Sequence, residues 1–371
     1  MRLLVAGGGT GGHFYPALTV MKKLNEENQD HDICYMGTGR GLESRIAPRF
    51  DWFEFKTINV RGLSRQSPIN FIKGLAFLPL GMIQAFLAIR RFDPDVIYGT
   101  GGYTTFPPAF WGVVLGIPVL THELNLKPGI TNRILSRFVT KVLLSYPDTE
   151  DSLTVRDSRV TGTPVRQEIF EKKTASGPEN FGLNPDSPII LIFGGSKGSK
   201  ALIEKTIQEF EQRSKKTEIP FQFLIQTGSD NYSVFRRRVN TLPSDKISLV
   251  EYIEEMGDAY GMSDLVICRG GAGTMAELVA TEKPAIIVPW SGAAENHQYY
   301  NGRYLEKKGA AFLIEEAEWF DYPLLETLTD LFSSEDNLRK MSESYGYMDG
   351  NNGAREVVKT IKDTISEGEL C

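Results

Sequence analysis

The chain has 371 residues, 41% of them hydrophobic and 24% charged, and a formal net charge of −6. This excludes a wholly disordered chain and gives length enough for two domains with cores of their own. Its three cysteines, Cys34, Cys268 and Cys371, are an odd number without paired spacing, so they suggest neither a disulfide framework nor a zinc site and fit a reducing compartment.

The chain opens on a short apolar run at 3–9 that ends in glycines and has no signal-peptide core, and it reads as a first β-strand. Comparable runs recur before glycine turns and helical stretches at 33–36, 96–98, 119–121, 189–193, 221–225, 248–250, 265–268 and 285–288. Strand–helix alternation of this kind predicts parallel sheets covered on both faces. A polar stretch rich in Pro and Gly at 172–188 resembles a linker. It divides the elements into two α/β domains, 1–166 and 167–371, with the last helix free to pack back on the first. Each half opens on a strand that runs into glycines, at 7–12 and at 194–198, so the expected architecture is two Rossmann-like domains facing each other across a cleft.

Residues 69–89 approach the length of a membrane span, 21 residues with Lys73 as the only charge. Pro79 and Gly81 interrupt them, Asn70 and Gln84 are polar, and a crossing here would split a sheet. Two helices meeting near Pro79 are expected instead. The second, 80–91, is apolar almost all round, as a helix buried against a sheet would be.

Gly7 to Gly12 formally satisfies G-x-G-x-x-G after a strand, the fingerprint of dinucleotide binding. An NAD site also wants an acidic residue at the end of the second strand, and 33–36 leads instead into Gly37-Thr38-Gly39-Arg40; Arg40 leaves an NADP-dependent oxidoreductase as the rival reading. The same strand, glycines and helix start recur at 98–103, 194–198 and 270–274. Backbone N–H groups at helix N-termini bind phosphate oxygens, so such turns in both halves suit a diphosphate donor on one side and a phosphorylated acceptor on the other. Glu277 follows Gly273-Thr274 by about one helical turn, where its carboxylate could accept bonds from ribose hydroxyls; a solvated helix glutamate is the alternative. Of four histidines, His13, His122 and His297 each stand by a glycine, acidic or amide cluster near a strand end, whereas His31 lies in a charged loop. The D-x-D sequences at 30–32 and 93–95 are discounted as metal sites, the second because Asp-Pro there turns a helix into the start of a strand, opposite the ligand edge of the sheet.

Taken together these motifs resemble the MurG family, which transfers N-acetylglucosamine from its UDP donor to lipid-linked N-acetylmuramoyl-pentapeptide in peptidoglycan synthesis. The resemblance rests on GGGTGGHFYPAL at 7–18, GTGGYTTFPP at 99–108, HELN with GITN at 122–132, GTPVR at 162–166, GGSKGS at 194–199, CRGGAGTMAE at 268–277 and ENHQYYN at 295–301. It implies the GT-B architecture, an inverting transfer and a donor held mainly by the C-terminal domain. It implies the uracil near Ile253, the ribose on Glu277, and the diphosphate at Ser196 and the Ala272-Gly273-Thr274 turn. His297 and Gln298 would contact the sugar, Arg166 would help close the nucleotide pocket, and Arg269 would support the phosphate loop. Thr10, Gly11, Gly12, His13, Tyr103, Glu123, Asn125 and Asn132 would form the acceptor side. Leu124, Thr163, Lys197 and Ile203 depart from the commonest family pattern, and Ile203 is the awkward one, since an apolar group cannot replace a hydrogen-bonding amide.

An inverting transfer needs a base for the acceptor hydroxyl; His13 is the first candidate and Glu123 the alternative or the partner that orients it. Leaving-group charge would fall on N–H groups after Gly271 and Gly194, so neither a cofactor nor a dedicated metal site is expected. The expected partners are UDP-N-acetylglucosamine, the undecaprenyl-pyrophosphoryl-muramoyl-pentapeptide and an anionic membrane surface, with no nucleic acid. The alternatives are another UDP-sugar transferase with a lipid acceptor and the oxidoreductase above. Charge is uneven, 18 Lys and Arg against 14 Asp and Glu in residues 1–165 but 23 against 33 beyond. The basic half is expected to dock on the cytoplasmic face of the membrane through 61–91, with Ile69, Phe71, Ile72, Leu75 and Phe77 as apolar area and Arg61, Arg65 and Lys73 as headgroup contacts.

Overall fold

The computed structural model describes all residues except 10, 63–67, 171–176, 196, 215–218, 243–245, 347–351 and 370–371, and also leaves out the side chains of 68–73, 75 and 368–369. The chain forms two compact units, Met1–Arg166 together with Asn352–Cys371, and Gln167–Asn351.

In the first unit, strands β1 (Arg2–Ala6), β2 (Asp32–Gly37), β3 (Glu54–Thr57), β4 (Val96–Gly99), β5 (Val119–Glu123), β6 (Lys141–Leu144) and β7 (Ser158–Val160) make a seven-stranded sheet in the order β3-β2-β1-β4-β5-β6-β7. The described pairings are parallel. Strand side chains alternate between two buried faces, as the period of two requires. Leu3 and Val5 pack with the helix Gly11–Glu27, while Leu4 and Ala6 pack under the helix Pro68–Phe92. The strand order reverses between β1 and β4, where Ala6 pairs with Gly99, so the turns that follow these two strands lie side by side at the carboxyl edge.

The last helix, Gly353–Glu369, belongs to this unit and buries Val357, Val358 and Ile361 beside Leu3, Phe14 and Leu24. Each such side chain stabilises by roughly 1.5–3 kcal/mol. The half-exposed ion pairs Arg159–Glu356 and Lys362–Glu27, both 2.6 Å, add roughly 0–1 kcal/mol each and fix the helix direction.

Two expectations fail on the segment around Pro79. It forms one helix, Pro68–Phe92, that runs through the proline; at Gly81 an added Cβ would stand 2.3 Å from Val60, so the glycine lets the helix lie close to the chain beyond β3. Nor is its second half buried all round. Ala85 and Ile89 face the core, but Leu80, Ile83 and Leu87 are 44%, 56% and 60% exposed, because an outer-layer helix buries only the stripe facing its sheet. Phe110, Val114 and Leu115 of the packed helix Phe106–Leu115 are exposed as well. Among the described residues no helix is long and apolar enough to cross a membrane.

In the second unit, β8 (Ile189–Phe193), β9 (Gln222–Gln226), β10 (Ile247–Val250), β11 (Leu265–Cys268), β12 (Ala285–Ile287) and β13 (Ala311–Leu313) form a parallel six-stranded sheet, ordered β10-β9-β8-β11-β12-β13. Its order also reverses, between β8 and β11, where Phe193 pairs with Cys268. The glycines after both strands therefore share one edge.

Candidate active site

At the first reversal, β1 gives way to Gly7, where a Cβ would lie 2.1 Å from Thr100 Oγ1, and to Gly8 and Gly9 with φ of 147° and 84°, a region that favours glycine. The turn is tied from beneath by Glu43. This fully buried carboxylate accepts from the Gly9 N–H at 3.1 Å, the Thr38 N–H at 3.0 Å and the Thr38 hydroxyl at 2.8 Å. Tyr103 lies across the turn, its hydroxyl 2.8 Å from where a Gly9 Cβ would be; burial first, and then the charge of Glu43, raise its phenol above the ordinary value, so it stays a protonated donor.

His13 stands in the first turn of the helix Gly11–Glu27 and is latched to Thr100 twice. The Thr100 hydroxyl donates to the His13 carbonyl at 2.9 Å, and His13 Nδ1 lies 2.8 Å from the Thr100 carbonyl. A carbonyl only accepts, so Nδ1 carries a proton, and in the neutral form of the ring the lone pair is on Nε2. Gly101 and Gly102, at φ of 88° and 75°, pass along that ring, and a Cβ on Gly102 would come within 3.5 Å of Nε2.

Glu123 ends β5 and is 3% exposed. One oxygen accepts from the Asn125 N–H at 3.0 Å and its side-chain amide at 3.1 Å; the other accepts from the Gly129 N–H at 3.0 Å and from Asn132 Nδ2 at 2.8 Å. Four donors thus close the 124–129 loop around the carboxylate. The neighbouring His122, placed by sequence among the functional candidates, is wholly buried. Its Nδ1 is 2.9 Å from the Tyr98 hydroxyl, and its Nε2 faces Ser145 and Thr161. Burial pushes this imidazole down to about 3, against the opposing bond from the Gly162 backbone, so it is a neutral core group. Arg166 stacks its guanidinium on the Tyr15 ring, 4.7 Å from the centroid, within the first unit.

In the second unit the helix Ala272–Thr281 begins directly after Gly270-Gly271 with no side-chain cap. The N–H groups of Ala272, Gly273 and Thr274 are first-turn donors that have no partner within the helix, at its positive end. Gly270 is pressed on the next helix: a Cβ there would lie 2.2 Å from the Gln298 carbonyl, and Asn301 Nδ2 donates to its carbonyl at 3.1 Å. Glu277 accepts from the buried Tyr260 hydroxyl at 3.0 Å, which fixes its orientation. Gln226 links two turns, donating to the Gly195 carbonyl at 3.0 Å and accepting from the Ile253 N–H at 2.9 Å.

Arg269 is committed to the scaffold. It donates to Ser199 Oγ at 3.1 Å and to the Val288 carbonyl at 3.0 Å, and pairs with Glu316. Burial works to raise Glu316, but two bonds from Ser291 and the Arg269 charge outweigh it and hold the carboxyl below its ordinary value. His297 opens the helix His297–Lys307 after two left-handed residues, Glu295 and Asn296, and donates from Nδ1 to the Ala294 carbonyl at 2.7 Å. Gln298 accepts the Trp290 N–H at 2.9 Å. Thr10 and Ser196 lie outside the described residues.

Residues 3–144 match the glycosyltransferase family 28 N-terminal domain and 189–361 the glycosyltransferase family 28 C-terminal domain. The UDP-N-acetylglucosamine–N-acetylmuramyl-(pentapeptide) pyrophosphoryl-undecaprenol N-acetylglucosamine transferase of Acetivibrio thermocellus is 35% identical over 366 residues, 98% of each chain. The protein of the same name from Caldanaerobacter subterraneus is 36% identical over 98% of this chain and 99% of its own. Acinetobacter baumannii MurG, a crystal structure, superposes with a TM-score of 0.74 at 27% identity, covering 98% of this chain and 99% of that one. The chain belongs to the MurG family. It is a glycosyltransferase of GT-B architecture.

Ile203 is 1% exposed and packs in the apolar core of the second unit. Thr163 joins the His122 surroundings through a 2.8 Å bond to Ser145, Leu124 is buried, and Lys197 is exposed. Glu43, Thr100, Tyr260 and Glu316 were not singled out by sequence. The only signal for Glu43 was the Gly37-Thr38-Gly39 turn ahead of it, which by itself names no partner.

The buried His122 gives a pH signature. Its folded-state pKa lies below the ordinary 6.5, so the unfolded chain takes up the proton first. The contribution to stability is complete above about 6.5 and is lost as pH falls toward about 3, with a slope of up to about 1.4 kcal/mol per pH unit. Urea midpoints should fall between pH 7 and 5, and fall less steeply in His122→Gln; equal slopes would assign the loss to other groups.

Proposed function

We propose that the protein transfers N-acetylglucosamine from UDP-N-acetylglucosamine to undecaprenyl-diphosphate-linked N-acetylmuramoyl-pentapeptide, with inversion, as a peripheral protein of the cytoplasmic membrane face. The observation that carries this is full-length identity of 35% to a transferase named for that reaction. In this reading Tyr103, Asn125, Asn132 and the turn at Thr10, Gly11 and Gly12 receive the acceptor. His13 Nε2 takes the proton of the acceptor hydroxyl, since Thr100 presets the tautomer a base needs. Glu123, with four donors on its carboxylate, shapes the acceptor loop instead of acting as the base.

On the donor side the ribose bonds Glu277, whose orientation Tyr260 holds, and the uracil lies by Ile253. The diphosphate meets Ser196 and the N–H groups of Ala272, Gly273 and Thr274, which stabilise the charge gathering on UDP as the sugar bond breaks. That electrostatic stabilisation lets the transfer proceed without a dedicated metal ion. His297 and Gln298 contact the sugar, Arg269 braces the phosphate turn, and Arg166 contributes from the first unit through its place on Tyr15.

The exposed Leu80, Ile83 and Leu87, with Phe110, Val114 and Leu115, support docking on an anionic bilayer, and Arg61 on the Phe77 ring at 4.4 Å, with Arg90 and Arg91, supplies cations. This moves the apolar contact from 69–77 towards 80–87; most side chains of the former lie outside the described residues.

Mixed with both substrates, the protein should release UDP only when the lipid-linked acceptor is present; release that ignores the acceptor would defeat the assignment. Glu277→Ala should weaken UDP on the order of tenfold by calorimetry, the cost of about 1.5–3 kcal/mol for a lost charged acceptor. His13→Ala should lower turnover by roughly 10²–10⁴-fold with UDP affinity intact, and a loss of only a few-fold would remove it as the base. Leu80, Ile83 and Leu87 changed together to Ser should reduce co-sedimentation with anionic vesicles while UDP binding stays normal; unchanged co-sedimentation would place the membrane face elsewhere.

A further inference from the structure

The carboxyl edge of the second sheet carries one feature that none of the roles above uses. β12 ends at Ile287, which pairs with Cys268 of β11, so the chain beyond β12 emerges beside the phosphate-type turn Gly270-Gly271. There Trp290 is 52% exposed. The Ala293 N–H donates to the Trp290 carbonyl at 3.0 Å, closing a four-residue turn whose third residue is Gly292. A Cβ on Gly292 would lie 2.6 Å from Trp290 Cζ2 and 2.8 Å from Cε2, so the indole is folded against the bare backbone of its own turn.

The turn itself is held firmly. Glu316, paired with Arg269, accepts from the Ser291 N–H at 2.9 Å and from its hydroxyl at 2.5 Å, while Gln298 accepts the Trp290 N–H. Gln298 in turn presses its backbone on Gly270. A continuous set of contacts therefore runs from the helix N-terminus that would receive the diphosphate, through Gly270 and Gln298, to Trp290. A sugar is bonded to the distal phosphate of its nucleotide, and the next surface beyond Gly270 is this one. A pyranose has a face of C–H groups and a rim of hydroxyls, so it suits an aromatic plane with an amide at its edge.

We infer that Trp290 is a sugar-stacking residue of the donor site: the indole, braced by Gly292, packs on the C–H face of the nucleotide-linked hexose while Gln298 meets its hydroxyl rim. This rests on the donor reading of the second unit. Stacking acts on the sugar alone, which separates it from the contacts to uridine and diphosphate.

The test is calorimetry of UDP and of UDP-N-acetylglucosamine with the full-length protein and three variants. Trp290→Ala should bind UDP within about twofold of the parent but the sugar nucleotide about three- to tenfold more weakly, and Trp290→Phe should recover most of that loss. Gly292→Ala keeps the indole but drives a methyl group into it, and should reproduce the Trp290→Ala pattern. If Trp290→Ala leaves the ratio of the two affinities as in the parent, or weakens both ligands alike, the inference is overturned. Failure of the parent to bind either nucleotide would overturn the donor reading itself, and this inference with it.

Discussion

A turn leaving the carboxyl end of a buried parallel strand points backbone N–H groups at space that neither sheet nor helix fills, and each needs an acceptor. Three carboxylates meet that constraint here. Glu43 holds the Gly9 turn, Glu123 the 124–129 loop and Glu316 the Ser291 turn. A hydrogen bond to a charged acceptor stabilises by roughly 1.5–3 kcal/mol, and each of these carboxylates takes at least two, so each ties its loop to the scaffold at more than one point. At the start of Ala272–Thr281 no side chain caps the backbone, so the first-turn N–H groups have no partner within the helix.

The same constraint sorts the titratable groups. Glu43 and Glu123 give their oxygens to loop donors, and His13 gives Nδ1 to the Thr100 carbonyl. Thr100, itself on the turn after β4, sets His13 in the tautomer that leaves the lone pair on Nε2. His122, one residue before Glu123, is wholly buried, and that burial lowers its imidazole well below the ordinary value. Three histidines that look alike by their sequence neighbours thus have different surroundings, and burial with hydrogen-bond partners decides which can do chemistry.

Nine of the strands were legible because buried parallel strands are apolar runs closed by glycines. β3, β7 and β13 are three or four residues long at sheet edges and partly exposed, so they lack that signature, and β6 is a four-residue run with no glycine turn after it. Pro79 read as a break because sequence shows the missing N–H but not the packing that carries a helix past it. The glycine turns and the family followed from ordered motifs. What stayed hidden were partners across the sheet: Glu43 beneath Gly9 is 34 residues away in the chain, and Glu316 is 47 from Arg269. Exposure was equally hidden, since Leu80, Ile83 and Leu87 differ from Ala85 and Ile89 only in which side of the helix meets the sheet.

The most direct test of the account is the anomeric configuration of the product. The protein should be incubated with α-linked UDP-N-acetylglucosamine and the lipid-linked muramoyl-pentapeptide, and the disaccharide isolated for proton NMR of its new glycosidic bond. Direct attack by an acceptor hydroxyl deprotonated at His13 predicts a single β-linked N-acetylglucosamine. An α-linkage, which requires a covalent or front-face route, or free N-acetylglucosamine with no disaccharide, would contradict it.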